Sequence, residues 1–294
     1  MERRTDLAVE ARELAGADVQ GVEYSVRNEN GMEISRLNVK NHQASLKLKK
    51  EQGTYITIDV PAMTDNFLST DERIKTISNE ISRLLPVNGL VLVCGLGNTE
   101  ITPDALGPKT VSRILATRHI TGELARSTGL DSLRPVAVLK PGVTGQTGIE
   151  TFEYIESIVK KVRPTALVVI DALASRRLSR LGCTLQISDT GISPGAGVQN
   201  HRRKITRDSV GIPVIALGVP TVVDAVTLVS DLLDVEDEKT SRDLSEVLSP
   251  DNRSMVVTPK EIDLLIDRAS RLVSMSLNVA LQRDVDINLL EALL

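Results

Sequence analysis

Three features of the sequence predict an α/β fold with a mostly parallel sheet flanked by helices and a small N-terminal antiparallel β subdomain. Residues 90–94, 136–139, 166–170 and 214–217 are continuous apolar runs, the pattern of strands buried on both faces. Helical periodicity separates them, most clearly at Ile149, Phe152, Ile155, Ile158, Val159 and Val162, and such alternation implies parallel strands joined by crossover helices. Residues 22–60 instead show short polar and apolar alternation, punctuated by Glu29-Asn30-Gly31 and Gln52-Gly53, which predicts antiparallel strands. The chain therefore divides into a leader and helix over 1–21, a β subdomain over 22–68 and an α/β domain over 69–294, together one structural unit.

The remaining elements follow from local chemistry. Ser69-Thr-Asp-Glu72 is a capping signature ahead of Ile74, Ile77, Ile81 and Leu84, whose spacing marks an amphipathic helix. Another helix is expected after Pro220, carrying Val223, Val226 and Val229. Thr258-Pro-Lys-Glu261 offers an N-cap, a proline at the first helical position and a capping-box glutamate before Ile262, Leu265, Ile266, Ala269 and Leu272. Residues 234–254 are rich in charge and read as a solvated excursion.

Composition narrows the function. At 294 residues and 41% apolar composition the chain can bury a sizeable core, built on Leu, Ile and Val because aromatics are only 2%. A net charge of −4 supplies no positive field for a phosphate backbone, so direct nucleic-acid binding is not expected. The two cysteines, Cys94 and Cys183, flank apolar runs and read as packed thiols in a reduced compartment. The N-terminal residues lack the apolar core of a signal peptide, and no stretch is apolar enough for a membrane span, so a cytoplasmic protein is expected.

In open α/β sheets, sites form beyond the carboxyl ends of the strands. The run ending at Cys94 leads into Gly95-Leu-Gly97-Asn98 and on to Asp104, and the run ending at Ile170 leads directly into Asp171. Two neighbouring carboxylates cannot both ionise cheaply, so they share a proton and offer a base and an acid together, as water attack on an amide requires. Either aspartate can equally cap a helix. Gly95-Leu-Gly97 is not a dinucleotide motif, since Glu100 stands where its third glycine belongs. Gly191-Ile-Ser193-Pro-Gly195 matches a nucleophile elbow in form, but Pro194 has no N–H to complete an oxyanion hole. His42, His119 and His201 are scattered and form no zinc signature. Arg176, Arg177 and Arg180, and the run His201-Arg-Arg-Lys204, are candidates to clamp acidic substrate side chains or are simply solvated basic faces.

Several segments together carry a family resemblance: Arg4-Thr-Asp-Leu-Ala-Val-Glu-Ala11, Cys94-Gly-Leu-Gly-Asn98, Ile192-Ser-Pro-Gly195, Gly211-Ile-Pro-Val-Ile215 through Gly218-Val-Pro-Thr-Val-Val-Asp-Ala225, and Met255-Val-Val-Thr-Pro-Lys-Glu-Ile262. The chain resembles the spore germination proteases over nearly its whole length. That resemblance implies a fold similar to the hydrogenase-maturation endopeptidases and a tetrameric zymogen in the forespore or spore core. Its implied substrates are the small acid-soluble, DNA-binding spore proteins. It maps the catalytic pair onto Asp104 and Asp171 and implies no cofactor, although the maturation peptidases use equivalent acidic positions near a metal, which leaves a divalent ion at the pair open. It also implies self-trimming of a short leader at Asp6-Leu7, since Thr5-Asp-Leu-Ala-Val-Glu10 resembles the sequence the family cuts. The same residues can form a helix start with Thr5 as N-cap and Leu7, Ala11 and Leu14 buried. The chain departs from the family pattern at Gln199 and His201, where glycine and then lysine are expected.

Overall fold

The computed structural model describes residues 4–16, 18–61, 63, 71–194, 203–233 and 255–293. In chain order they form α1 (Ala8–Ala15), β1 (Val22–Glu29), β2 (Met32–Val39), α2 (His42–Leu48), β3 (Gly53–Asp59), α3 (Glu72–Leu84), β4 (Val91–Gly95) and α4 (Leu106–Val111). Then come α5 (Gly122–Thr128), β5 (Val136–Leu139), α6 (Thr144–Thr147), α7 (Thr151–Val162), β6 (Ala166–Ser175), β7 (Thr184–Ser188), α8 (Arg207–Val210), β8 (Val214–Asp224) and α9 (Ala225–Leu232). The last are β9 (Val256–Val257), α10 (Ile262–Leu281) and α11 (Ile287–Leu293).

All the strands join one sheet in the order β1-β2-β3-β7-β8-β6-β4-β5, with β9 added to β8. The run β8-β6-β4-β5 is parallel, built from the four apolar runs. From β8 outward through β7, β3, β2 and β1 the pairing is antiparallel, so the expected N-terminal β subdomain continues the same sheet through β3 and β7. The hairpin between β1 and β2 turns at Asn30-Gly31, both at positive φ, as a two-residue turn compatible with strand twist demands.

One face of the sheet is covered by α3, α4 and α10, whose Ile74, Ile77, Leu106 and Leu272 share a core with Val93, Val168 and Leu217. The other face packs Phe152 and Ile155 of α7 on Leu92, Leu167, Val169 and Val214, while α1 and α2 cover Leu37 and Tyr55 of the antiparallel half.

Several boundaries differ from the sequence expectation, each for a tertiary reason. β6 and β8 run well past 170 and 217 because they pair with each other as far as Ser175 and Val223. The helix expected after Pro220 therefore starts only at Ala225, capped by Asp224. α3 is capped by Asp71, which accepts the Arg73 N–H; Ser69 lies outside the described residues. Thr258 does not cap α10: its hydroxyl donates to the Thr221 carbonyl of β8, and the helix begins at Ile262. Residues 42–48 form α2 inside the region expected to be strands, because Asn41 accepts the Ala44 N–H as an N-cap. The charged excursion expected over 234–254 lies outside the described residues.

Candidate active site

The site lies where β4 stops and β6 continues. Parallel pairing of these strands ends at Gly95 opposite Ile170, and the Leu96 N–H makes a last bond to the Ile170 carbonyl at 2.8 Å. The chain then turns back through a 3₁₀ turn, Thr102–Asp104, held by the Asn98 N–H on the Asp104 carbonyl (3.1 Å) and the Asp104 N–H on the Ile101 carbonyl (2.8 Å). The Thr221 hydroxyl of β8 donates to the Pro103 carbonyl at 2.8 Å and ties this turn over the sheet.

The glycines of this loop are there for space. Gly97 has φ +113°, and a Cβ built on it would stand 2.0 Å from the Asp104 carbonyl oxygen. Gly97→Ala is accordingly expected to displace the Asp104 main chain and, with Asp104 as a candidate reacting group, to lower cleavage at least about tenfold, since misplacement of such a group by 1 Å can cost about 10²-fold. A crystal structure of the variant together with its turnover checks this; normal turnover would show that the Asp104 position is not critical.

Asp171 does not end its strand, as the sequence suggested, but lies within β6, just past the last residue paired with β4. Its side chain follows Leu167 and Val169 on the α7 face and is 7% exposed. The Asp171 carboxylate accepts the N–H of Ala172 at 3.0 Å. Beside it Cys94 is buried, and burial together with the Asp171 charge pushes its thiol far up, which leaves it an inert packing group. Burial likewise raises Cys183.

Asp104 and Asp171 both line one cavity of about 1120 Å³. Asp6 lines the same cavity, so the structure brings together three of the four site residues read from the sequence; the fourth, Leu7, is buried against Leu173 and Val9. Thr5, expected as an N-cap, leaves that position to Leu7; its hydroxyl accepts the Leu7 N–H and donates to Glu10, and Leu14 is 39% exposed.

The N-terminal segment is strapped to the cavity wall. The Asp6 N–H donates to the Ala174 carbonyl and the Ala174 N–H to the Asp6 carboxylate, each at 2.8 Å. The Asp6 carbonyl accepts from Lys50 Nζ at 2.8 Å and from Gln186 Nε2 at 3.0 Å. Burial raises the Asp6 carboxyl above its usual range, against the lowering effects of Lys50 and the Ala174 amide. Burial also lowers Lys50, against the charges of Asp6 and Glu10.

Lys50 and Gln186 were not among the residues singled out from the sequence. Gln186 had a legible signal, because Thr184, Gln186 and Ser188 alternate with Leu185 and Ile187 at the period of a strand. Lys50 had none, since it follows Lys47 and Lys49 in what reads as an ordinary charged stretch.

The arginines read as either a substrate clamp or a solvated basic face are instead paired with acids of this chain. Arg176 pairs with Asp231 at 3.2 Å, Arg177 with Glu13 at 3.0 Å, and Arg180 with Asp59 at 3.0 Å. Of the second basic group, Lys204 lines the cavity and pairs with Glu51 at 2.6 Å, while the Arg203 guanidinium stacks 3.9 Å over Phe152. Gln199 and His201 lie outside the described residues. Ser193 also lines the cavity, followed by Pro194. Ser193→Ala is expected to retain activity within a few-fold, because the proline cannot donate to an oxyanion; a loss of several orders of magnitude in turnover would reverse this.

Among the described residues no group of three or more His, Cys, Asp and Glu side chains is arranged to hold a metal ion. Among them, too, no helix is long and apolar enough to cross a membrane.

Comparison with known proteins places this geometry in a family. The germination protease of Caldanaerobacter subterraneus subsp. tengcongensis is 45% identical over 95% of this chain and 94% of its own length. Those of Clostridium acetobutylicum and Priestia megaterium are 38% and 35% identical, covering 97% and 96% of this chain and 97% and 94% of their own. Among solved structures, the NiFe hydrogenase maturation protease HycI from Thermococcus kodakarensis aligns over 67% of this chain and 98% of its own, at 15% identity and a TM-score of 0.37. The family profile described as Germination protease matches residues 2–235, and with relatives this similar over nearly their full length the chain belongs to the germination protease family, an endopeptidase family.

Proposed function

We propose that this endopeptidase opens the degradation of small acid-soluble, DNA-binding spore proteins during germination, using Asp104 and Asp171 as a carboxylate pair that shares one proton. The observation that carries the reading is that both aspartates line a single cavity whose wall also holds the chain's own Asp6.

In this reading the ionised carboxylate takes a proton from water as the water oxygen bonds to the scissile carbonyl carbon. The protonated partner then gives its proton to the leaving nitrogen, the C–N bond breaks, and an acid and an amine result. The pair again holds one proton. The carboxylates act on water directly, so dialysis against a chelator is expected to leave the rate unchanged; activity lost and then restored by a divalent ion would place a metal at the pair.

The same chemistry makes the chain its own first substrate at Asp6-Leu7, as a zymogen that trims itself, assembles as a homotetramer and works in the spore core. Glu10, anchored on Arg176 and Arg177 just past β6, lies beyond the cut and stays with the enzyme, so trimming leaves the core in place.

The test is to incubate wild type and Asp171→Asn with purified small acid-soluble spore protein and follow both products and N-termini by mass spectrometry. Wild type alone is expected to fragment the substrate and to acquire Leu7 as its first residue. Equal trimming of both forms would assign the cut to another protease. Stable complexes without fragments would make the protein a binding module.

A further inference from the structure

Two side-chain donors, one of them a partly buried lysine, converge on a single main-chain oxygen. We propose that Lys50 and Gln186 hold and polarise the carbonyl that is attacked, forming the oxyanion site of this peptidase; the inference rests on the self-cutting reading.

The Asp6 carbonyl belongs to the Asp6-Leu7 peptide. It accepts from Lys50 Nζ at 2.8 Å and from Gln186 Nε2 at 3.0 Å, while Lys50 also reaches the Thr5 carbonyl at 3.2 Å. Gln186 grips both sides of Leu7, because its Oε1 accepts the Ala8 N–H at 2.6 Å. A side-chain amide that meets the carbonyl of one residue and the N–H two residues on makes the contacts a neighbouring strand would make. The segment is thus held extended, as a substrate main chain would be.

The sheet register puts this grip two strands from Asp171, on the same face of the sheet. Gln186 of β7 stands opposite Gly218 of β8, and Gly218 stands opposite Asp171 of β6. Residues directly opposite one another share a face, so Gln186 and Asp171 flank Gly218 at about 10 Å, two strand spacings. Gly218 has no side chain to fill that gap. A Cβ there would lie 2.5 Å from Leu173, whose side chain leans across β8 and receives Leu7. The residue after the cut is seated on Leu173, the acidic residue before it meets the Ala174 amide, and the carbonyl between them faces Lys50 and Gln186.

Lys50 suits the task electrostatically. The charged groups facing it are Asp6 of the strap and Glu10 of α1, and it is partly buried in the cavity wall, so its charge acts on the developing oxyanion with less screening than in bulk water. If the contacts served docking alone, Lys50 and Gln186 would matter only for holding the strap.

The experiment compares full-length wild type, Lys50→Met, Lys50→Arg, Gln186→Glu and Asp171→Asn. It measures the first-order appearance of the Leu7 N-terminus by mass spectrometry and the hydrogen exchange of the Asp6 and Ala174 amides. Lys50→Met and Gln186→Glu are expected to trim about 10²–10³-fold more slowly while those amides stay protected, and Lys50→Arg to recover to within about tenfold of wild type. Wild-type trimming by both Lys50→Met and Gln186→Glu overturns the proposal. So does loss of amide protection in proportion to the lost rate, which would make the pair a docking device. Trimming by Asp171→Asn at the wild-type rate sinks the self-cutting reading itself, an outcome separate from normal trimming by the Lys50 and Gln186 variants beside an inert Asp171→Asn.

Discussion

Asparagine in place of either Asp171 or Asp104 is expected to lower peptide-bond cleavage by about 10³–10⁴-fold, the upper range for loss of a general acid or base. The amide cannot exchange a proton, so the surviving carboxyl must serve as base and acid in turn without its partner. Folding should be little changed at position 171, because an asparagine Oδ1 can still accept the Ala172 N–H that the aspartate accepts at 3.0 Å. The two single variants and the double variant should be nearly equal in rate, since groups that act as one unit are not additive. Turnover on a small acid-soluble spore protein, beside a melting curve for each variant, checks this. Cleavage within a few-fold of wild type by a folded Asp171→Asn or Asp104→Asn would remove that residue from the mechanism.

Glu10→Ala is expected to have the largest effect on stability. Glu10 is 0% exposed, and its carboxylate accepts the main-chain N–H of Arg176 at 2.7 Å and of Arg177 at 3.0 Å, with the Thr5 hydroxyl and the Arg180 guanidinium alongside. Removing the acid leaves buried donors unpaired and Arg180 short of a partner, a loss of about 3–5 kcal/mol. For a chain of this size that is a fall in melting temperature on the order of 10 °C. The strap should also loosen, because Glu10 anchors α1 to the end of β6. As a control, Glu156→Ala removes an exposed pair with Lys160 at 3.1 Å and should cost no more than about 0.5 kcal/mol. Equal melting of Glu10→Ala and Glu156→Ala would show that the Glu10 network contributes little.

The parallel half of the fold was legible because strands buried on both faces must be continuously apolar, as residues 90–94 and 166–170 are; 136–139, read the same way, form β5 at the sheet edge, where only Val136 is fully buried. α2 was not legible, since His42-Gln-Ala-Ser-Leu-Lys-Leu48 is too short to show a helical period and its start depends on one asparagine cap. α10 was legible as a helix but not in its first turn, because Thr258 found a stronger use on β8. Arg176, Arg177 and Arg180 illustrate the same limit in the site. Sequence shows three cations after a strand but not the acids of α1 and α9 that come back to meet them.

The sequence by itself determined the chemistry available: aspartates after apolar runs, a proline after Ser193 that has no N–H for an oxyanion, and an acidic-apolar N-terminal segment. Those are properties of residue type and immediate neighbours. Only the tertiary structure decided the rest, namely that β6 outruns β4, that Asp6 bonds to Ala174 in the extension of β6, and that Lys50 and Gln186 close on the carbonyl between Asp6 and Leu7. The reason is that strand order and register join residues more than a hundred positions apart, and a side chain's partner across such a distance is written in the packing and not in the local pattern.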